Sequence, residues 1–381
     1  MKIKIVGSGG CVSTPKPCCT CPVCTEAREK GFPYARTGCS LFVEGANVLI
    51  DTPEDINQGL NNAGVECVDY ILYSHSDPDH TMGMRVIEQL RMDWLGLSVG
   101  KKIENPIKVA ALPNVLEDMK LQRTRYGSVL GYYVMRGLAT AEAVHSLEIN
   151  GLKIDMVPVD DTEHVAVFVI SDERGKVIYA PCDVKPFPHS ELFFGADVLI
   201  IGNTVIGETL KDGFVLGAEN PLREELFVMD EILELQKKYG IKEVIMTHLE
   251  EDWGKSYDDY KRLEEEYANV RFAYDGMERF FPAEKILNTG NPIRKDIEKA
   301  TPQQKGEGYR FYNLSPCKKT IFVVGGSLGC RTLNECMKKA VSQGNLFKDE
   351  AEGGKGYQVI WQCGKIYKDE IAKFMEGRDE K

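Results

Sequence analysis

Histidine is scarce in this chain: there are six in 381 residues. Tryptophan is scarcer still, at three. No apolar run approaches the roughly 20 residues that a membrane-spanning helix needs, so no membrane span is expected. Cations are in deficit, with 47 Lys and Arg against 58 Asp and Glu, a net charge of -11 and a pI near 5.3. That balance argues against general nucleic-acid or anionic-membrane binding. The opening MKIKIVGSGG has too short an apolar stretch for a secretory h-region. It reads as a first buried strand ending in a Gly-rich turn. Lacking a secretory signal, the twelve cysteines read as metal ligands and thiols, not a disulfide framework, and a reducing cytoplasm is the expected compartment.

What is present alternates regularly. Short runs rich in Val and Ile predict strands at Lys2–Val6, Ser40–Glu44, Asn47–Asp51, Tyr70–Tyr73, Ile107–Ala111, Val165–Ile170, Val177–Tyr179, Val198–Ile201 and Glu243–Met246. Helices are predicted over Gly83–Leu95, Val115–Tyr126, Arg223–Tyr239 and Tyr257–Glu266. Hairpins mixed with helices imply an α/β protein with helices covering its sheets. Composition turns polar and turn-rich after about residue 282, so two domains are expected, 1–278 and 279–381.

The few histidines are not scattered. SHSDPDHTMG, residues 74–83, gathers His75, Asp77, Asp79 and His80 directly after the apolar run DYILY. A dinuclear metal site needs imidazoles and carboxylates converging from separate loops. Other strand ends supply them: His164 precedes one apolar run, while Asp183 and His248 follow two others. The remaining two histidines, His145 and His189, have no motif context.

This ordered set resembles the metallo-β-lactamase superfamily, whose usual signature is His-x-His-x-Asp-His, then a lone His, a bridging Asp and a final His. The resemblance covers roughly residues 1–275 and implies an αβ/βα sandwich. It implies that His75, Asp77 and His164 hold one divalent ion, that Asp79, His80 and His248 hold the other, and that Asp183 bridges. Asp79 is the implied catalytic residue. Asp77 stands where the family has a second His, which makes that site harder and shifts its preference from Zn²⁺ toward Mn²⁺ or Fe²⁺.

PKPCCTCPVCTEAREKG places Cys18, Cys19, Cys21 and Cys24 within seven residues. Cys21-x-x-Cys24 has the spacing of a zinc knuckle. The run resembles the PhnP cyclic phosphodiesterases and relatives of the pyrroloquinoline-quinone biosynthesis protein, which implies a structural Zn²⁺ on Cys19, Cys21 and Cys24. The family's fourth ligand is a His just after the final motif. Here Glu251 stands there, and Cys18, Glu251 or a water is left to complete the site. By this resemblance the substrate is a small molecule, a phosphodiester. Self-association as a homodimer is left open.

KKTIFVVGGSLGCRTLNE reads as a strand, a glycine turn and a helix start, a form that cradles phosphate on backbone N–H groups. With MERFFPAEKILNTGNPIRKDI and YQVIWQCGKIY it resembles the MurG family, the transferase that adds N-acetylglucosamine to lipid I. This implies a small partial Rossmann-like (GT-B) α/β fragment over roughly 274–370, with Gly325, Gly326, Ser327 and Gly329 as a nucleotide-binding loop. The family's acceptor-binding half has no counterpart in the chain. The expected activity is metal-dependent hydrolysis by metal-bound hydroxide. Its rivals are a largely inactive N-acetylglucosamine transferase fragment and a metal-binding accessory protein without turnover.

Overall fold

Strands such as Val198–Ile201 (VLII) carry apolar side chains on both faces, and both faces find a core. Phe168, Ile170, Tyr179 and Ile200 pack into one hydrophobic cluster, which also holds Ile3, Leu41 and Leu49. Their alternating neighbours Val167, Val169, Ile178 and Leu199 pack into a second cluster with Phe193, Ile232 and Tyr260. The period of two thus divides each run between the interior of a sandwich and a helix-covered outer face. Fully burying one such side chain stabilises the fold by about 1.5–3 kcal/mol.

The computed structural model describes residues 1–281, 301–315, 318–324, 330–343 and 357–376. Two seven-stranded sheets face each other. The first runs in the order Glu278–Phe280, Lys2–Gly7, Ser40–Glu44, Val48–Ile50, Tyr70–Leu72, Ile107–Ala111, Ala139–Ala143. The second runs Val270–Phe272, Glu243–Met246, Val198–Ile201, Gly175–Ala180, Ala166–Asp172, Leu152–Pro158, Ser146–Ile149. Within each, the central strands are parallel, so their C-terminal ends share one edge. Backbone bonds from Ala166 N to Ser74 O (2.8 Å) and from Leu249 N to Ser8 O (2.9 Å) tie the sheets together at that edge.

Some expected elements differ. Helix Gly83–Leu95 breaks into a 3₁₀ turn at Met82–Arg85 and short helices Val86–Arg91 and Trp94–Ser98. Arg223–Tyr239 splits at Leu226, leaving Leu222–Glu225 and Met229–Tyr239. The chain separates into units Met1–Leu287 and Asn288–Lys381, later than the expected break at 278. The reason is backbone pairing: Glu278–Phe280 joins the first strand antiparallel, with Lys2 opposite Phe280.

The second unit holds a parallel pair, Thr320–Val324 and Gln358–Gln362, with helices Pro302–Phe311, Arg331–Gln343 and Lys368–Met375. Gly325, Gly326, Ser327 and Gly329 lie outside the described residues.

Candidate metal centre

Asp51 ends strand Val48–Ile50 and is fully buried. Its neighbour strand Tyr70–Leu72 runs parallel, which sets Ser74 and His75 beside it. Ser74 donates to Asp51 twice, from N (2.8 Å) and Oγ (2.7 Å). Since the Ser74 hydroxyl proton goes to Asp51, its oxygen accepts from His75 Nδ1 at 2.9 Å. His80 Nδ1 donates to Asp51 Oδ2, also at 2.9 Å. Both imidazoles are therefore fixed with Nε2 as the free lone pair. Both Nε2 atoms are buried without a hydrogen-bond partner among the described residues. Buried polar atoms left so are rare and point to a missing ligand.

Pro78 opens the short helix Pro78–Thr81, with Asp77 at its N-cap position. Asp77 makes no capping bond there; its carboxylate groups with His75 and Asp183. Asp79 groups with His80 and His248. The His80 and His248 rings lie parallel at 5.5 Å, and His75 is 4.2 Å from His80. The strand ends turn sharply to achieve this. Asp51, Asp183, Asn203 and His248 all have φ between 49° and 63°, a strained region for non-glycine residues.

Electrostatics favour a cation here. Burial opposes ionisation of Asp79, yet the imidazoles of His248 and His80, each 3.4 Å from its Oδ2, hold it well below the usual carboxylate range. Burial likewise disfavours the charged form of His80, but the charge of Asp51 raises it well above the ordinary value. Negative charge that attracts protons to these nitrogens would equally attract a divalent ion that displaces them. The donor set of imidazoles and carboxylates fits such an ion.

His164 does not join any of these groups. Its Nδ1 bonds Asp118 Oδ2 at 2.5 Å and its side chain is half exposed, on the loop between two strands. Asp183, expected to bridge, converges with His75 and Asp77 alone. Cys182, Asp51 and Glu250 are site residues that the sequence reading passed over. Cys182 groups with His75 and His80. Burial raises its thiol pKa, but the charge of His248 and the nearness of the three imidazoles bring it down to about 5. Glu250 Oε1 lies 3.3 Å from His248 Nδ1. Asp51 could have been found by the rule that found Asp183, an acid closing an apolar strand.

The cysteines form a second centre. Cys21 caps helix Pro22–Lys30, and its Sγ accepts from Cys24 N. The thiols of Cys19, Cys21 and Cys24 lie 3.5, 3.0 and 3.5 Å from Glu251 Oε1. Glu251 thus takes the fourth position, while Cys18 is exposed. Lys211 Nζ also reaches Glu251 Oε1, at 2.5 Å. Burial would raise the Glu251 carboxyl, but Cys21 and Lys211 lower it to about 2. Beside Glu250 and Lys211 lies a cleft of about 540 Å³, also lined by Leu210, Phe214, Leu216, Leu222 and Trp253.

Comparison with known proteins agrees with this architecture. A diphosphatase of the PhnP family superposes with a TM-score of 0.54 at 19% identity, over 73% of this chain and 96% of that one. Zn²⁺-bound PqqB from Methylobacterium extorquens gives 0.54 at 20% identity, over 74% and 100%. Curated relatives match the C-terminal portion instead. The UDP-N-acetylglucosamine–N-acetylmuramyl-(pentapeptide) pyrophosphoryl-undecaprenol N-acetylglucosamine transferase of Parabacteroides distasonis is 47% identical over 116 residues, 30% of this chain and 29% of that protein. Its counterpart in Bacteroides thetaiotaomicron is 42% identical over 120 residues, 32% and 30% respectively. The chain spans about three tenths of the length of these transferases. Residues 46–249, which carry all seven of the expected acid and imidazole ligands, match the beta-lactamase superfamily domain, and to that superfamily the chain belongs.

Proposed function

We propose that the first unit is a metal-dependent hydrolase of small phosphodiesters. The observation that carries this reading is the pair of buried, partnerless Nε2 atoms of His75 and His80, set among the carboxylates of Asp77, Asp79 and Asp183. Two divalent ions would be held there, by His75, Asp77 and Asp183 and by Asp79, His80 and His248. A third, a structural Zn²⁺, would sit on Cys19, Cys21, Cys24 and Glu251. Bound ions supply Lewis acidity and a water ionised near neutral pH.

The chain's own residues orient that chemistry. Asp51 and Ser74 fix both imidazoles, and Asp79, held ionised, is placed to bind a cation. The cleft beside Glu250 gives an apolar substituent of the substrate a place next to the reacting group. A phosphorus ester is favoured because a fold neighbour is described as a diphosphatase. A reducing, cytoplasmic setting suits the free thiols of the cysteine site. The second unit, a fragment of a longer transferase, is read as lacking transferase activity.

The test is turnover of chromogenic phosphodiesters by the full chain, with metal content measured in parallel. Activity is expected that chelation and His80→Ala both abolish. A folded, metal-loaded chain that cleaves no phosphodiester or diphosphate would favour the accessory-protein reading. Calorimetry with a UDP-sugar should show no binding; a measurable heat would restore the transferase reading.

A further inference from the structure

We infer that Cys182 is a metal ligand, placed between the two halves of the centre where a bridging carboxylate is expected. The inference rests on the hydrolase reading and adds a sulfur donor to it. His75 belongs to the half that contains Asp77 and Asp183, and His80 to the half that contains Asp79 and His248. Among the described residues, Cys182 groups with one imidazole from each half, with ligand atoms all within 4.8 Å of one another. Asp183 groups with the first half alone, so the shared position falls to the thiol.

Three further observations support this. Both imidazoles that face Cys182 are nearly inaccessible, at 2% and 0% exposure, and their Nε2 atoms lack partners. The same sulfur lies 3.7 Å from Asp183 Oδ1, within the cluster of expected ligands. Lastly, the half that contains His75 lacks the imidazole of His164, which is turned to Asp118, so a donor is wanted there. The turn that delivers the thiol follows strand Gly175–Ala180, whose C-terminal end lies at the same sheet edge as the strand leading to His248.

A thiolate changes which ion the centre prefers. Asp77 by itself hardens the site toward Mn²⁺ or Fe²⁺, whereas one sulfur ligand draws it back toward Zn²⁺.

Cadmium NMR of the full chain loaded with Cd²⁺ tests this, because the resonance frequency reports the number of sulfur ligands. One resonance should come from the cysteine site and at least one other from the histidine centre. Cys182→Ser and Cys182→Ala should both move the centre resonance away from the sulfur-rich range. Both should weaken Cd²⁺ binding there by roughly tenfold or more, a large effect for loss of a direct ligand. The cysteine-site resonance should stay in place and so certify the fold of each variant. A centre resonance unmoved by either substitution would overturn the role of Cys182 while leaving the hydrolase reading intact. A wild-type spectrum with the cysteine-site resonance alone would overturn the hydrolase reading and this inference with it.

Discussion

Asp51 belongs to none of the ligand groups, yet it orients residues that do. It is fully buried and accepts three hydrogen bonds, two from Ser74 and one from His80. Asp51→Asn should lower divalent-metal affinity at the centre about 10- to 100-fold, the usual cost of losing such support. Metal titration with separate counting of the cysteine-site ion would show it. His164→Ala should leave metal stoichiometry unchanged, since that side chain points to Asp118; loss of one ion would return His164 to the ligand set. Asp275 carries the pH dependence. Burial pushes its carboxyl up to about 6, against the hydrogen bonds of Ser8 and Thr37. The folded form therefore holds the proton more tightly than the unfolded chain, where the value is about 4. The stability that this proton contributes is fully present below about pH 4 and is lost as the pH rises through about 6. The loss is of the order of 2–3 kcal/mol. Denaturant unfolding across that window should show the decline in wild type, and a flatter, lower profile in Asp275→Asn.

Elements bring these residues together through close backbone approach. Gly202 follows strand Val198–Ile201, and its N–H donates to Ala180 O at 3.0 Å. A Cβ there would lie 1.8 Å from Pro181 O and 2.7 Å from the Cβ of His248. Gly202→Ala must push apart the turns that carry Cys182, Asp183 and His248. It should cost about 1–3 kcal/mol, as overpacking does, and loosen metal binding with it. Thermal unfolding and metal titration would read both. The segment 203–222 lends Leu210, Phe214, Leu216 and Leu222 to the cleft, which makes it a substrate-contacting loop to test. Phe214, half exposed at the lip of the cleft, tests that: Phe214→Ala should raise KM several-fold with kcat nearly unchanged, the mark of lost ground-state binding. The central strands were legible because they are apolar on both faces. Those missed in the two large sheets were Ala139–Ala143, Ser146–Ile149, Leu152–Pro158, Val270–Phe272 and Glu278–Phe280. Four of these five are sheet edges, where exposure on one side dilutes the apolar pattern.

At the scale of the whole molecule, the two units differ in how well each buries its own core. Central strands of the first unit such as Val198–Ile201 are nearly inaccessible, whereas Phe322, in the middle of strand Thr320–Val324, is 67% exposed. A chain ended after Leu287 should keep its metal content and its hydrolytic activity, and unfold in one cooperative transition. Residues 288–381 alone should show no such transition in calorimetry, having too few elements to close a core. Sequence by itself determined the strand-and-helix order, the acid and imidazole positions at strand ends, and the cysteine run, because periodicity and spacing are local properties. It also showed resemblance to two families, meeting near residue 278. Only the tertiary structure decided which of those donors meet. The parallel strands set Asp51 against His80, turned His164 to Asp118, brought Glu251 to three thiols and placed Cys182 between two imidazoles. Those choices depend on strand register and on turns at left-handed φ, which pair residues up to 232 positions apart and leave no mark on spacing along the chain.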